Sequence, residues 1–322
     1  GKTSFGIMAS AYVPDMSAAF DFDTAFDNAN LALKYSKKHS IAICSIYKPE
    51  MREELNKTIE MAADAMKALK NSEFKVFFQP KVSVSQDRIV GAEALVRWVK
   101  PDGTIVTPDS FVPFLEKNGY IVKIDFFVYE EVCKYLRRRI DAEKEVIPIS
   151  VNVSRIHMLG TDFAAKITEM VRRYRIDPSL IELELTESVF IANEAAAIKV
   201  LDQLRKFGFR VSIDDFGSGY SSLSLLRNMP VDVLKIDKGF FSGDHIEQKD
   251  DIVLSSVIDM ADKMDIDIIC EGIETMEQVD FLRKSKCDTA QGFFYAKPIP
   301  VADFEDMLEN GIKQGGQVSV KK

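Results

Sequence analysis

The 322-residue chain has no apolar stretch near the roughly 18 residues needed to span a bilayer, and residues 1–10 lack the basic-then-apolar order of an export signal. No membrane segment and a cytoplasmic location are therefore expected. Cysteine is scarce: Cys44, Cys133, Cys270 and Cys287 are far apart and form no CxxC pair, which excludes a zinc knuckle and a disulfide framework. They read as reduced core residues. Only three histidines are present, with no HExxH spacing, so any metal must be held mainly by oxygen. With 16 glycines and 11 prolines the composition is neither collagenous nor low-complexity. A surplus of positive charge is also missing, since 42 basic against 50 acidic side chains give a net charge of −8. Duplex nucleic acid and anionic membranes are not partners that such a field favours.

What is present, 46% hydrophobic and 29% charged residues, is enough for a sizeable core. Short β-branched or aromatic runs at 74–82, 90–96, 146–153, 181–185, 210–214, 233–236, 266–270 and 289–293 read as strands. Helical periodicity fills 109–118, 123–140, 162–174, 194–207, 221–228, 250–264, 277–284 and 301–311. This alternation predicts an α/β chain with a (β/α)₈ TIM barrel. The link 83–89 is too short for a parallel crossover, so the first strand should run antiparallel to the second, making the barrel a modified one.

Ahead of the barrel, 50–70 is an amphipathic helix with Met51, Leu55, Ile59, Met66 and Leu69 on its apolar side, and 4–47 reads as strand, helix, strand. The expected division is a small amino-terminal α+β piece at 1–49, a linker helix at 50–72, the barrel at 73–311 and a polar, frayed tail at 312–322.

Active sites of such barrels lie at the carboxyl ends of the strands. Polar residues recur there: Glu93, Asn152, Glu184, Asp214 with Asp215, Lys235 with Asp237, Glu271 and Gln291. Five carboxylates gathered in one cleft require compensating cations, because unpaired buried charges cost several kcal/mol each. Oxygen-only donors point to Mg²⁺ or Mn²⁺, and adjacent Asp214 and Asp215 can bridge two ions. Lys235 either stabilises charge on a phosphoryl group or pairs with Asp237.

Seven stretches in this order, EAL (93–95), NVS (152–154), ELTES (184–188), DDFGSGYSSL (214–223), LKID (234–237), EGIE (271–274) and QGF (291–293), resemble the EAL domain, the cyclic-di-GMP-specific phosphodiesterase family. The resemblance covers about 74–308 and implies hydrolysis of cyclic di-GMP to pGpG with two Mg²⁺ or Mn²⁺ ions. It assigns Glu93, Asn152, Glu184 and Asp214 to one ion and Asp214, Asp215 and Glu271 to the other, with Lys235 and Glu271 as catalytic groups. Gln79, Leu95, Arg97, Asp237 and Gln291 match positions near the substrate. For Arg97 two roles stay open, a phosphate contact or a stem packed on the barrel. Glu187 matches a glutamate that braces the loop 216–223, the family's route from dimerisation to metal binding, so a homodimer through the barrel is implied; Glu274 matches a supporting acid. Ser218 and Phe293 depart from the usual Thr and Tyr without removing a ligand. Residues 27–35 and 43–47 resemble the last part of a GGDEF domain without its signature loop, so no cyclase activity is assigned. The alternative of another class is a catalytically silent receptor for cyclic di-GMP that signals through a partner protein.

Overall fold

The computed structural model describes residues 9–14, 21–39, 44–160, 162–217, 229–240, 248–285 and 287–312. At the amino end, strand β1 (Ala9–Ala11) and strand β2 (Cys44–Ile46) pair in parallel, with helix α1 (Phe22–His39) between them in sequence. This is the expected strand, helix, strand piece. Cys44, read from the sequence as a core thiol, is instead exposed, because a three-residue strand in a two-stranded sheet has little to cover it. The other three cysteines are buried free thiols.

Helix α2 (Pro49–Lys70) starts on a proline, which suits the first turn because its missing N–H has no partner there anyway. Its buried face overlaps the expected one at Met66 and Leu69, which are half-buried against the core, and differs in its first turns. Ala62, Ala65 and Ala68 are buried, whereas Leu55 and Ile59 are exposed. The alanines let α2 lie close on Phe74, Trp98 and Phe111 and on helix α3 (Val112–Asn118), a contact that outweighs the burial of the larger side chains. Arg52 donates to Asn28 Oδ1 of α1 at 2.7 Å and Lys117 pairs with Glu54 at 2.6 Å, so α2 joins the amino-terminal piece to the barrel.

The barrel opens with β3 (Phe74–Ser83) and β4 (Arg88–Val99), antiparallel as expected, with Gln79 opposite Glu93. Strands β6 (Ile149–Asn152), β7 (Ile181–Thr186), β8 (Arg210–Phe216), β9 (Val233–Ile236), β10 (Asp267–Cys270) and β11 (Thr289–Gln291) follow in parallel order, and β11 pairs with β3 to close eight strands. Two short strands were not expected. β5 (Ile105–Val106) extends β4, and β12 (Ile299–Pro300) takes up the edge of β3 beyond β11, at Phe77 and Phe78.

Strand β6 is shorter than 146–153 because Pro148 has no N–H to pair. Strand β11 ends at Gln291, not at Phe293, because Gly292 lies against the backbone of Ile273. A Cβ there would fall 2.1 Å from the Ile273 carbonyl oxygen, so only glycine permits the approach.

On the outside lie α4 (Ile121–Asp141), α5 (Phe163–Tyr174), α6 (Ser188–Lys206), α7 (Gln248–Lys263), α8 (Met276–Lys284) and α9 (Val301–Asn310). Helix α6 begins six residues before the expected 194, directly after Glu187 at its N-cap position. The expected helix 221–228, residues 218–223 of the loop and the tail from 313 fall outside the described residues. The main core fills the layer between sheet and helices, with Ile149, Val151, Leu183 and Val211 meeting Val132, Leu136, Ile167 and Leu201. No helix among the described residues is long and apolar enough to cross a membrane.

Candidate active site

Side chains alternate across a barrel strand, inward and outward. On β4, Glu93, Leu95 and Arg97 share one face, while Ala92, Ala94 and Val96 share the face that packs on the helix layer. The same alternation sends Gln79 and Lys81 of β3, Glu182 and Glu184 of β7, Asp214 of β8, Lys235 of β9 and Gln291 of β11 into the lumen, as their mutual contacts show. The lumen is thus polar where a structural barrel would be aliphatic.

Lys235 is its hub. Its ammonium lies 2.8 Å from Glu184, 2.8 Å from Glu271, 3.0 Å from Asp214 and 3.6 Å from Glu93, four carboxylates that lie on, or directly after, four different strands. Of the two sequence readings of this lysine, pairing with Asp237 gives way to the hub. Glu93 is held by Asn152 Nδ2 at 2.8 Å and by Gln291 Nε2 at 2.6 Å, and Gln291 also donates to Gln79 Oε1 at 3.2 Å. The buried Tyr129 hydroxyl donates to the Asn152 carbonyl at 3.0 Å and steadies that strand end.

Burial pushes the Glu93 carboxyl up, aided by the negative charge of Glu184 and opposed by Lys235. Burial also lifts Glu271 to about 8 against the pull of Lys235, with Asp214 adding to the rise. Glu184 behaves oppositely: burial alone would raise it, but Lys235 and Lys81 together hold it at about 2. Burial disfavours the Lys235 ammonium, yet Glu184, Glu271, Glu93 and Asp214 outweigh that and keep its pKa well above the ordinary lysine value. The cluster is short of positive charge, so burial raises Glu93 and Glu271, while Glu184, flanked by both ammonium groups, is lowered.

Consecutive strand residues point to opposite faces, so Asp214 and Asp215 should diverge. They converge because Asp215 adopts φ +57 and β8 loses its register with β9 at this point. Asp214, Asp215 and Glu271 each present a carboxylate oxygen within 4.8 Å of the others. Burial and the neighbouring Asp214 and Asp237 push Asp215 up. Hard oxygen donors at this spacing fit a divalent cation such as Mg²⁺ or Mn²⁺.

The remaining expected residues lie around this centre. Glu187 accepts from the Gly217 backbone at 3.4 Å, at the start of the loop after β8. Asp237 caps its own turn through Gly239. Arg97, half-buried, donates to the Val96 carbonyl at 2.8 Å. Glu274 is exposed; its backbone N–H donates to Gln278 Oε1 beside the Thr275–Gln278 capping box of α8, and its carboxylate is not among the clustered acids. Leu95 lines a cavity of about 530 Å³ that runs from Glu93 and Asn152 outward between β4, α3 and α4. Four residues passed over in the sequence stand here: Lys81, Glu116, Asp125 and His157. Lys81 carried a signal, being two residues from Gln79 and so on the same strand face. Asp125, paired with His157 at 2.9 Å, sits on a helix remote in sequence from the strand end it meets and gave none.

Residues 62–298 match the model of the EAL domain. The chain belongs to the EAL domain family. Among curated relatives, signaling protein YkoW of Bacillus subtilis is 36% identical over 241 residues, 75% of this chain and 30% of YkoW. The bifunctional diguanylate cyclase/cyclic di-GMP phosphodiesterase MucR of Pseudomonas aeruginosa is 32% identical over 273 residues, 85% of this chain and 40% of MucR. This chain thus spans less than half the length of either. A solved structure, the PaMucR phosphodiesterase in a c-di-GMP complex, superimposes on the EAL barrel with a TM-score of 0.71 at 33% identity, covering 76% of this chain and 99% of that one.

Proposed function

We propose that this EAL barrel hydrolyses cyclic di-GMP to linear pGpG with two divalent ions, Mg²⁺ or Mn²⁺. The observation that carries the reading is that Glu93, Glu184, Asp214 and Glu271 surround the one ammonium of Lys235, with a carboxylate oxygen of Asp215 within 4.8 Å of those of Asp214 and Glu271. The relative MucR, named for cyclic di-GMP phosphodiesterase activity, and the PaMucR complex make a cyclic dinucleotide the substrate of choice.

Glu93, Asn152, Glu184 and Asp214 would hold one ion and Asp214, Asp215 and Glu271 the other. Asn152 donates through Nδ2 to Glu93, which leaves its Oδ1 to face a cation. Such ions would polarise the phosphoryl oxygens and supply a nucleophilic water at neutral pH. Water oxygen adds to phosphorus, the bond from phosphorus to one ribose O3′ breaks, and that oxygen takes a proton, leaving a 5′-phosphate and a 3′-hydroxyl. Lys235, pressed among the acids at the lumen centre, stabilises the developing negative charge and orients the attacking water. Glu271, 2.8 Å from the Lys235 ammonium, would hold the second ion and keep Lys235 beside the reacting water. Gln79, Arg97, Asp237 and Gln291 surround the substrate, and the cavity beside Leu95 takes one guanine, whose N1–H and amino group suit the carboxylates of Glu116 and Asp125.

The deciding experiment is incubation of the purified protein with cyclic di-GMP and Mg²⁺ or Mn²⁺, with mass spectrometry of the product. pGpG that forms in wild type and not in Glu93→Ala upholds the proposal. Tight binding with no product over hours supports the receptor. We assign 73–311 as the catalytic unit, 50–72 as its linker and 1–49 as a GGDEF-like accessory. The proposed homodimer through the barrel, which the loop 216–223 would couple to metal binding, is tested by light scattering; a monomer at high concentration with full turnover removes it.

A further inference from the structure

Glu184 is gripped from two sides. Lys235 Nζ lies 2.8 Å from its Oε2, while Lys81 Nζ lies 2.9 Å from its Oε1 and 2.9 Å from Glu182 Oε1. The grip is buried: Lys81 is 5% exposed, Glu182 5%, Glu184 1% and Lys235 1%. Lys81 comes from β3, which runs antiparallel to its barrel neighbours β4 and β11. The inward position beside it on β4 is Gly91, where a Cβ would crowd the Pro148 carbonyl oxygen at 3.2 Å and make ordinary contact with Lys81 Cδ at 3.6 Å. The β3–β4 register also shifts directly after Lys81.

Stability alone does not account for this arrangement. A buried ion pair repays its desolvation poorly, and well-packed apolar side chains of similar volume are often no less stable. Glu182 would suffice as partner, yet the ammonium reaches on to Glu184 at the same distance.

We propose that Lys81 is a positioning residue for the cation site: tied also to Glu182, it keeps Glu184 Oε1 occupied, so that a divalent ion taking the place of the Lys235 ammonium at Oε2 meets a single oxygen of Glu184. The inference rests on the two-ion reading above. It has a consequence for selectivity. Mg²⁺ demands near-octahedral geometry at short distances, whereas Ca²⁺ accepts both oxygens of one carboxylate and a looser shell. Blocking one oxygen of Glu184 removes a bidentate mode open mainly to Ca²⁺. Lys81 therefore biases the site toward the smaller ion.

The test is calorimetric titration of Mg²⁺ and of Ca²⁺, each alone, into the full chain. Because Lys81→Met alone would strand Glu182, the variant is Lys81→Met with Glu182→Gln. The ratio of Ca²⁺ to Mg²⁺ affinity is expected to rise about tenfold over wild type, about 1.4 kcal/mol. A ratio within about threefold of wild type, in a variant with unchanged circular dichroism, overturns the inference while leaving the two-ion reading intact. Wild type that binds neither ion overturns both. Should the double variant not fold, Glu182→Gln alone carries the test in the opposite sense: Lys81 is then undivided, the ratio falls, and an unchanged ratio overturns the inference.

Discussion

Lys235 is a single cation holding apart carboxylates that would otherwise repel one another across the lumen. Removing one partner of a buried charge cluster costs about 3–5 kcal/mol. Lys235→Met should therefore lower the unfolding free energy in chelator by that order, read by urea denaturation, and slow turnover by about 10²-fold or more in a product assay. Turnover near wild type would remove Lys235 from the chemistry. At Asp215 two effects separate. The left-handed backbone at φ +57 is tolerated by Asp and Asn and resisted by side chains with no local hydrogen bond to offer. Asp215→Asn should keep the fold and weaken divalent-ion binding, whereas Asp215→Ala should also lose about 1 kcal/mol in urea denaturation. Equal stability of the two variants would mean that the conformation carries no strain. The DD pair was visible in the sequence as a bridging candidate. That both carboxylates face one side was not, since it depends on a backbone turn no residue pattern announces.

At the scale of elements, strand and helix periodicity placed most of the barrel, because burying one face of each βα unit imposes periods that side chains must obey. Its failures have specific causes: Pro148 shortens β6, the close approach of Gly292 to Ile273 ends β11, and β12 exists only because β3 runs past β11. Helix α2 shows the limit most clearly. Leu55 and Ile59 suggested the buried face, but its alanines, with Met66 and Leu69, are what α3 and the aromatics of β3 and β4 accept. Ala65, fully buried at that contact, is a direct probe. Ala65→Leu should overpack it and cost about 1–3 kcal/mol, measured as a lower urea midpoint, while Leu55→Ala on the exposed side should change little. The reverse order would show that α2 docks by its other face.

For the whole molecule, pH and divalent ions act on the same carboxylates. Glu184, about 2 when folded against an ordinary 4.5, contributes stability that is present above 4.5 and lost as pH falls toward about 2. Glu271, about 8 when folded against 4.5, has the opposite sign: the folded chain keeps a proton that the unfolded chain has released, so stability declines as pH rises from 4.5 to about 8. Divalent ions replace that proton, and their stabilising effect grows as it leaves. In thermal melts, Mn²⁺ should raise the midpoint more at pH 8 than at pH 5.5; equal shifts would sever the link between these acids and metal binding. What the sequence by itself determined is the barrel, its one reversed strand and which acids stand at the strand ends, because alternating burial and short links act locally along the chain. What only the tertiary structure decided is the lumen's charge pattern, with Lys81 and Lys235 sharing Glu184 and Asp215 turned beside Asp214. Those relations join residues 51 to 103 positions apart, or hang on one backbone angle, and electrostatic energy in a buried site depends on distances that arise only when the strands close into a ring.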